Sequence, residues 1–599
     1  MRGRGRYRTR VVDGATRPRV PAGADSAPAE RATRRRPSAV ALVIAACAAL
    51  ALALRAYQLS RPGYLLGVTE YDDGALFGDT LQFVSGVIPY RDFQMVQPPG
   101  GMLIMAPAAL LAKVIGTARG LAVARLLTIG ADTANVVLLG LLVRHRGALT
   151  AGIAGGLYAI CPDALVASHT FMLEPWLNLC CLLAALALFD GDRLVGIGTS
   201  AVSDSGRKPR LSDTARLAWA GVAFGFGASV KIWALAPFAV AGLLLLLAAW
   251  RVSPARRQAS PPGLVAARLR PAATLAGGAA VGLGVPLLPF AVMARVGLAR
   301  GVLIGQLARN SGGHRDPFAR LADMSGLRLL PGSPSSRTLL VVLALVLIAC
   351  YAWAHVAAGR HPAWLDAYAA GAAILVTVML LWPRLYYSHY GAFAGPFLAL
   401  AIALPIGLLA GWPAIRPAAG TRTTAAIMPA VITPDTITPL TAALAVALTA
   451  GLVWGGYSAL KNESTLHGSE VAAAADKLIP AGACVVTNGA SYTIAVGRFF
   501  SGTPDCPPMV DSFGTLFAMT SGGNQNSPAA ALRPVVELWQ STLERAQYVW
   551  LNSDTESQIP WNSQLYDYFR THFRLIGLAG TPTPARTPDV PRRGVYART

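Results

Sequence analysis

Charge is what this chain has least of. Asp, Glu, Lys and Arg make up 14% of its 599 residues, against 54% for apolar side chains. A soluble chain carries about 25% charge. The deficit excludes an ordinary water-soluble protein and points to lipid as the main solvent. Cysteine is also sparse, at seven residues, and neither a CxxC pair nor a Cys/His metal spacing occurs. Zinc modules are thereby excluded, and the sequence calls for no metal and no cofactor. Cys47, Cys161, Cys180, Cys181 and Cys350 sit within apolar runs and read as small core residues. Internal repeats, common in transporters, are missing too.

What is present is apolar and basic. The net charge is +22, and residues 1–37 alone hold eleven Arg against three acids. With few large aliphatic side chains, 1–37 reads as a disordered cytoplasmic tail. The remaining basic clusters fall in short connections between apolar runs. There they set membrane topology, so a nucleic-acid partner is not expected. Runs of spanning length lie near 38–56, 121–143, 147–162, 172–190, 214–230, 232–250, 271–294, 338–358, 365–383, 391–411 and 438–456, eleven in all. With the N-terminus inside, the connections at 144–146, 193–216, 251–270, 360–361 and 416–422 are inside and basic. The basic outer loop 295–337 is an exception. It carries Arg309, Asn310, His314 and Arg315, which could line an entrance. The sixteen-residue run 101–116 follows Pro98-Pro99-Gly100 and reads as an interfacial helix.

Eleven spans place 457–599 outside. Its segments 483–488 and 546–552 read as strands and 527–546 as an amphipathic helix, so a small extracytoplasmic α/β domain is expected. It contains no Ser-His-Asp or metal signature. Cys484 and Cys506, alone in this polar region, predict a disulfide formed in an oxidising compartment.

The polar residues near the outer face are few enough to consider singly. Glu70, Asp72 and Asp73 crowd three carboxylates into four residues, with Asp79 beyond them. Mutual repulsion raises at least one pKa and suits general acid/base work, although a solvated loop would tolerate the same acids. Glu174 opens the fourth span, where a carboxylate needs a partner or complements the helix dipole. Lys231 divides two apolar runs and is placed at the outer surface, as a phosphate-binding point charge or as a snorkelling turn residue. Arg384, Tyr387 and His389 lie in a loop that reads Arg-Leu-Tyr-Tyr-Ser-His-Tyr. That composition suits an anionic headgroup or an aromatic belt.

Taken together, the acidic pair after the first span, Pro89-Tyr90-Arg91-Asp92-Phe93, Gln97-Pro98-Pro99-Gly100, the Met172-Leu173-Glu174-Pro175 segment and the loop at 384–390 resemble the GT-C superfamily of lipid-linked-sugar glycosyltransferases. The similarity is to the bacterial protein-mannosyltransferase-like and aminoarabinose-transferase-like branch, over roughly 38–411. It implies a GT-C transmembrane domain at 38–456, with a catalytic first outer loop at 57–120 and the α/β domain at 457–599. It also implies a polyprenyl-phosphate-linked sugar donor and a glycan, lipid or protein acceptor. On this resemblance Asp72, then Asp73, is the catalytic base and Glu174 the second acid. Lys231, Arg384, Tyr387, His389, Gln97 and Arg91 contact the donor phosphate or substrate. The family often has Asp-Glu where this chain has Asp72-Asp73, and Lys-Pro-Pro where it has Gln97-Pro98-Pro99; the latter removes one phosphate-binding cation. The expected activity is sugar transfer, probed against two alternatives: a transporter or lipid flippase, and a non-catalytic scaffold. The expected location is the bacterial cytoplasmic membrane, among membrane lipids.

Overall fold

The computed structural model describes residues 38–197, 211–251, 264–307, 315–326, 334–357, 359, 361–383, 385–410, 474–524, 526–552, 558–578 and 591–599, with a few more between 446 and 461. The tail 1–37, Arg309, Asn310, His314, Arg384 and most of the expected span 438–456 lie outside the described residues.

Helices occupy the apolar runs. α1 (Ala39–Ser60) leads into a long connection that contains α2 (Tyr71–Val84) and α3 (Gly100–Ile115), and α4 (Thr117–Val143) follows. The run expected as one span at 147–162 is broken. α5 (Ala148–Ala159) and α6 (Pro162–Ser168) meet at 59°, because Pro162 has no N–H to continue the ladder and opens a new helix instead. α7 (Glu174–Leu188) and the short hairpin β1 (Phe189–Asp190) and β2 (Arg193–Leu194) come next. They are followed by α8 (Asp213–Val230), α9 (Leu235–Arg251) and α10 (Leu264–Met293). α11 (Arg295–Leu298), a π-turn at Ala299–Ile304 and α12 (Gly305–Leu307) lie over the first outer loop. Then come α13 (Pro317–Met324), α14 (Pro334–Ala357), α15 (Trp364–Leu381) and α16 (Gly391–Ala410).

Among the described residues seven helices are long and apolar enough to cross a membrane, or eight if the bent α5–α6 pair is one span. α3 and α7 are apolar but shorter. The protein is a multi-pass membrane protein. Its main core gathers α1, α4, α5, α7, α8, α9, α15 and α16 around Tyr158, Phe224, Tyr368, Phe393 and Phe397. Lipid supplies no hydrophobic force between helices, so close contact depends on small residues. α8 and α10 meet in this way: a Cβ on Gly221 would fall 2.1 Å from the Leu275 carbonyl oxygen, and one on Gly282 would fall 2.2 Å from that of Val222. The fully buried Arg55–Asp132 pair at 2.5 Å joins α1 to α4, and Tyr158 of α5 also donates to Asp132.

The C-terminal segment builds a mixed four-stranded sheet in the order β3 (Val485–Thr487), β4 (Tyr548–Leu551), β6 (Gly594–Arg598), β5 (Phe573–Gly577). β3 and β4 are parallel and the other pairings antiparallel. Helices α17 (Ala490–Ala495), α18 (Ser512–Met519), α19 (Ala529–Arg545) and α20 (Ser563–His572) accompany it. Strand alternation sends Val549 and Leu551 into a core with Trp539 and Phe569 of α19 and α20. It sends Trp550 to the other face, against Tyr492 and Val68 of the first outer loop. Cys484 and Cys506 are joined by a disulfide. The described residues from Ala39 to Thr599 form one compact unit.

Candidate active site

The first outer loop is held from below by one arginine. Arg125 of α4 is fully buried and donates to the carbonyls of Tyr64, Leu65 and Gly67, to the Thr69 hydroxyl and to Asp73. Asp73 is equally buried. Its other oxygen accepts the Phe171 amide at 2.8 Å, which ties the first outer loop to the second. An arginine inside an apolar helix needs a carboxylate and hydrogen-bond acceptors around it, and this loop supplies them all. Asp73, expected as an alternative base, therefore does not line the pocket described below. Its carboxylate is taken up as a structural tie.

One residue earlier, Asp72 faces the opposite way. Consecutive helical residues are turned by about 100°, so burying Asp73 against α4 turns Asp72 outward. Its side chain is 45% exposed and its Oδ2 lies 3.9 Å from Nε2 of His389. Both acids sit in the first turn of α2, where they also complement the helix dipole.

Asp72 lines a pocket with Asp79, Gln97, Glu174, Lys231, His389, Tyr390 and Asp511. Glu174 is the first residue of α7 and is nearly fully buried; its Oε1 accepts from Nζ of Lys231 at 2.6 Å. Lys231 interrupts α8 and α9 in an extended conformation. It is not the surface lysine that its place between two runs suggests: only 7% is exposed. Its ammonium sits 3.6 Å from the Trp233 ring centroid and 4.4 Å from that of Tyr390. A carboxylate and two π faces let the charge survive burial. Tyr387 does not line the pocket but stacks on His389 with centroids 5.7 Å apart.

Arg91 does not line the pocket either. It is 53% exposed and bonded through Nε and Nη2 to Asp92 at 2.8 and 2.9 Å. That pairing holds the Asp92 carboxyl below its ordinary range. Gln97 is positioned by its backbone, whose carbonyl accepts the Tyr90 hydroxyl at 2.6 Å.

Two lining acids carried no assigned role in the sequence reading. Asp79 lies seven residues after Asp72, two helical turns along the same face of α2, a spacing that carries meaning only once the segment is helical. Asp511 comes from the C-terminal segment, where no local pattern marks it. It caps α18 by accepting the Gly514 amide at 2.7 Å, and it accepts the Tyr71 hydroxyl at 2.9 Å. Burial, and then the charge of Asp511, push the Asp79 carboxyl well above its ordinary value, and the same two causes raise Tyr71. Among the described residues no three His, Cys, Asp or Glu side chains are grouped to hold a metal ion.

The C-terminal segment docks on α2 at a glycine. A Cβ on Gly74 would fall 2.3 Å from Cα and 2.4 Å from N of Ser491. The Ser491 hydroxyl donates to the Glu70 carbonyl at 2.8 Å.

No family model matches the sequence, and no curated protein matches it. Solved structures do. ArnT from Cupriavidus metallidurans bound to undecaprenyl phosphate superposes with a TM-score of 0.54 at 14% identity, over 92% of this chain and 97% of that one. ArnT from the same organism in the apo state gives 0.52 at 15%, over 94% and 98%. The chain has the GT-C fold. This is the fold that the loop motifs suggested, and the match runs through the C-terminal segment as well as the helices. The archaeal oligosaccharyltransferase AglB from Archaeoglobus fulgidus also matches, with a TM-score of 0.47 at 13% identity over 86% of this chain and 70% of that one.

Proposed function

We propose that this GT-C protein is an inverting glycosyltransferase that moves a sugar from a polyprenyl phosphate to an acceptor hydroxyl on the outer face of the cytoplasmic membrane. The observation that carries this reading is the convergence of Asp72, Glu174, Lys231 and His389 on one pocket, from the first outer loop, α7, the α8–α9 break and the turn before α16. Asp72 is the accessible acid among them and serves as general base. It takes the acceptor proton as the acceptor oxygen bonds to the anomeric carbon and the sugar–phosphate bond breaks. The electron pair leaves with the polyprenyl phosphate, whose charge Lys231 and His389 offset. Glu174 holds Lys231 in place, and Tyr387 holds the His389 ring. The neighbouring Arg384 belongs to the same loop and is proposed as a further phosphate contact. The undecaprenyl phosphate bound by ArnT is the model for the donor's lipid carrier. The N-terminus is assigned to the cytoplasm and residues 457–599 to the outside, where the Cys484–Cys506 disulfide would persist.

The test is sugar transfer by membranes or purified protein given radiolabelled polyprenyl phosphate mannose, glucose or arabinose. Wild type is expected to release polyprenyl phosphate and label an acceptor. A general base contributes about 10²–10⁴-fold, so Asp72→Asn should lose at least about a hundredfold. Full activity in Asp72→Asn would overturn the assignment.

A further inference from the structure

Asp79 is the one pocket acid whose surroundings do not account for it. Asp72 looks towards His389, Glu174 holds Lys231, and Asp511 accepts from Tyr71 and Gly514. Asp79 is only 3% exposed, lines the same pocket, and its Oδ1 has no hydrogen-bond partner among the described residues. A buried polar atom without a partner costs folding free energy. Such an atom calls for an explanation in a folded protein, and in a pocket a ligand that completes it is one. The residues around Asp79 do not relieve it: Leu76 and Phe517 flank the cavity with carbon, and Lys231 is bonded elsewhere.

We propose that Asp79, beside the Asp511 carboxylate brought by the C-terminal segment, is the hydroxyl-binding subsite for the sugar ring that the transferase transfers. This rests on the transferase reading and names its specificity element. The chemistry favours a neutral polyol. A protonated carboxyl is both donor and acceptor, which matches a hydroxyl group that must also give and take. Burial and the adjacent Asp511 favour that protonated form. Asp511 already accepts two hydrogen bonds through Oδ1 and remains the acceptor of the pair. The subsite is completed across two segments distant in sequence, which gives the C-terminal segment a part in recognising the donor.

The experiment measures dissociation constants for the full-length protein in nanodiscs. The probes are undecaprenyl phosphate without sugar, and polyprenyl phosphates carrying mannose, glucose or arabinose. Wild type should prefer at least one sugar-bearing lipid. Asp79→Ala should weaken that lipid by about tenfold or more and leave sugarless undecaprenyl phosphate unchanged. Asp79→Asn, whose amide still donates and accepts, should recover most of the preference and guards against a folding defect in the alanine variant. If Asp79→Ala keeps the wild-type preference, or weakens both lipids equally, the subsite is overturned. If wild type itself shows no preference for any sugar-bearing lipid, the transferase reading fails instead.

Discussion

Asp72 and Asp73 are adjacent in α2 but belong to two regions built on opposite terms. Asp73 lies in a dry layer beneath the first outer loop, where Arg125, Thr69 and the Phe171 amide occupy its oxygens. Asp72 stands in the pocket, half exposed, with the His389 ring 3.9 Å from its Oδ2. In the lower region every polar atom of the pair is used for structure. In the upper region the Asp72 carboxylate faces a pocket and is half exposed. The boundary between the buried layer and the pocket runs between two consecutive residues, and helical phase draws it.

The sharpest way to break this comparison is to remove the lower layer. Arg125→Met leaves the Asp73 carboxylate buried without its cation. Breaking a buried pair in this way costs about 3–5 kcal/mol, a large part of a typical domain's stability. The expected result is a strongly lowered melting temperature in detergent, with activity lost as the fold is lost. Asp73→Asn should do the same to a smaller degree. Asp72→Asn should leave the melting temperature unchanged while abolishing transfer. If Asp73→Asn proved inactive at wild-type stability, Asp73 would belong to the chemistry after all.

A second test loosens the pocket from the side. Gly74 allows the backbone of Ser491 to rest on α2, and a methyl group there would meet main-chain atoms that cannot rotate away. Overpacking of this kind costs about 1–3 kcal/mol. Gly74→Ala should push the C-terminal segment off α2, withdraw Asp511 from the pocket and speed proteolytic cleavage of residues 474–599. The transmembrane helices should keep their circular dichroism. Unchanged cleavage and activity would mean that the segment is not docked in this way.

Much of this was legible in the sequence, and for physical reasons. Long apolar runs leave few structural choices in lipid, so α1, α4, α5, α7, α8, α9, α10, α14, α15 and α16 lie where the runs lie. Glu174, Lys231 and His389 were conspicuous because charge is rare in such a chain. The break at Pro162 is legible too, since a proline inside an apolar run cannot continue the helix ladder. Asp73 could not be told from Asp72 until the phase of α2 was known. The clue was Arg125, a cation inside the run 121–143 that demanded a carboxylate. Asp511 had no clue of this kind. It sits in a polar segment where an acid is ordinary, and only the packing of Ser491 and Val510 on α2 brings it to the pocket. Arg91, conspicuous in Pro-Tyr-Arg-Asp-Phe, proved to be satisfied by its neighbour Asp92.

The smallest expected effect separates the two regions by pH. Asp79 is raised above its ordinary value of 3.8, first by burial and then by Asp511. Between about 3.8 and its raised value, the folded protein therefore holds a proton that the unfolded chain has lost. A group of this kind favours folding most at low pH, and its contribution falls as pH rises through that window, by at most about 1.4 kcal/mol per pH unit for one proton. Asp79→Asn removes the titration. The margin by which its melting temperature exceeds that of wild type should widen steadily from pH 4 upward and level off once Asp79 ionises. Parallel melting curves for wild type and Asp79→Asn across that range would show that Asp79 is already charged, and would move it from the reactive region of the comparison to the structural one.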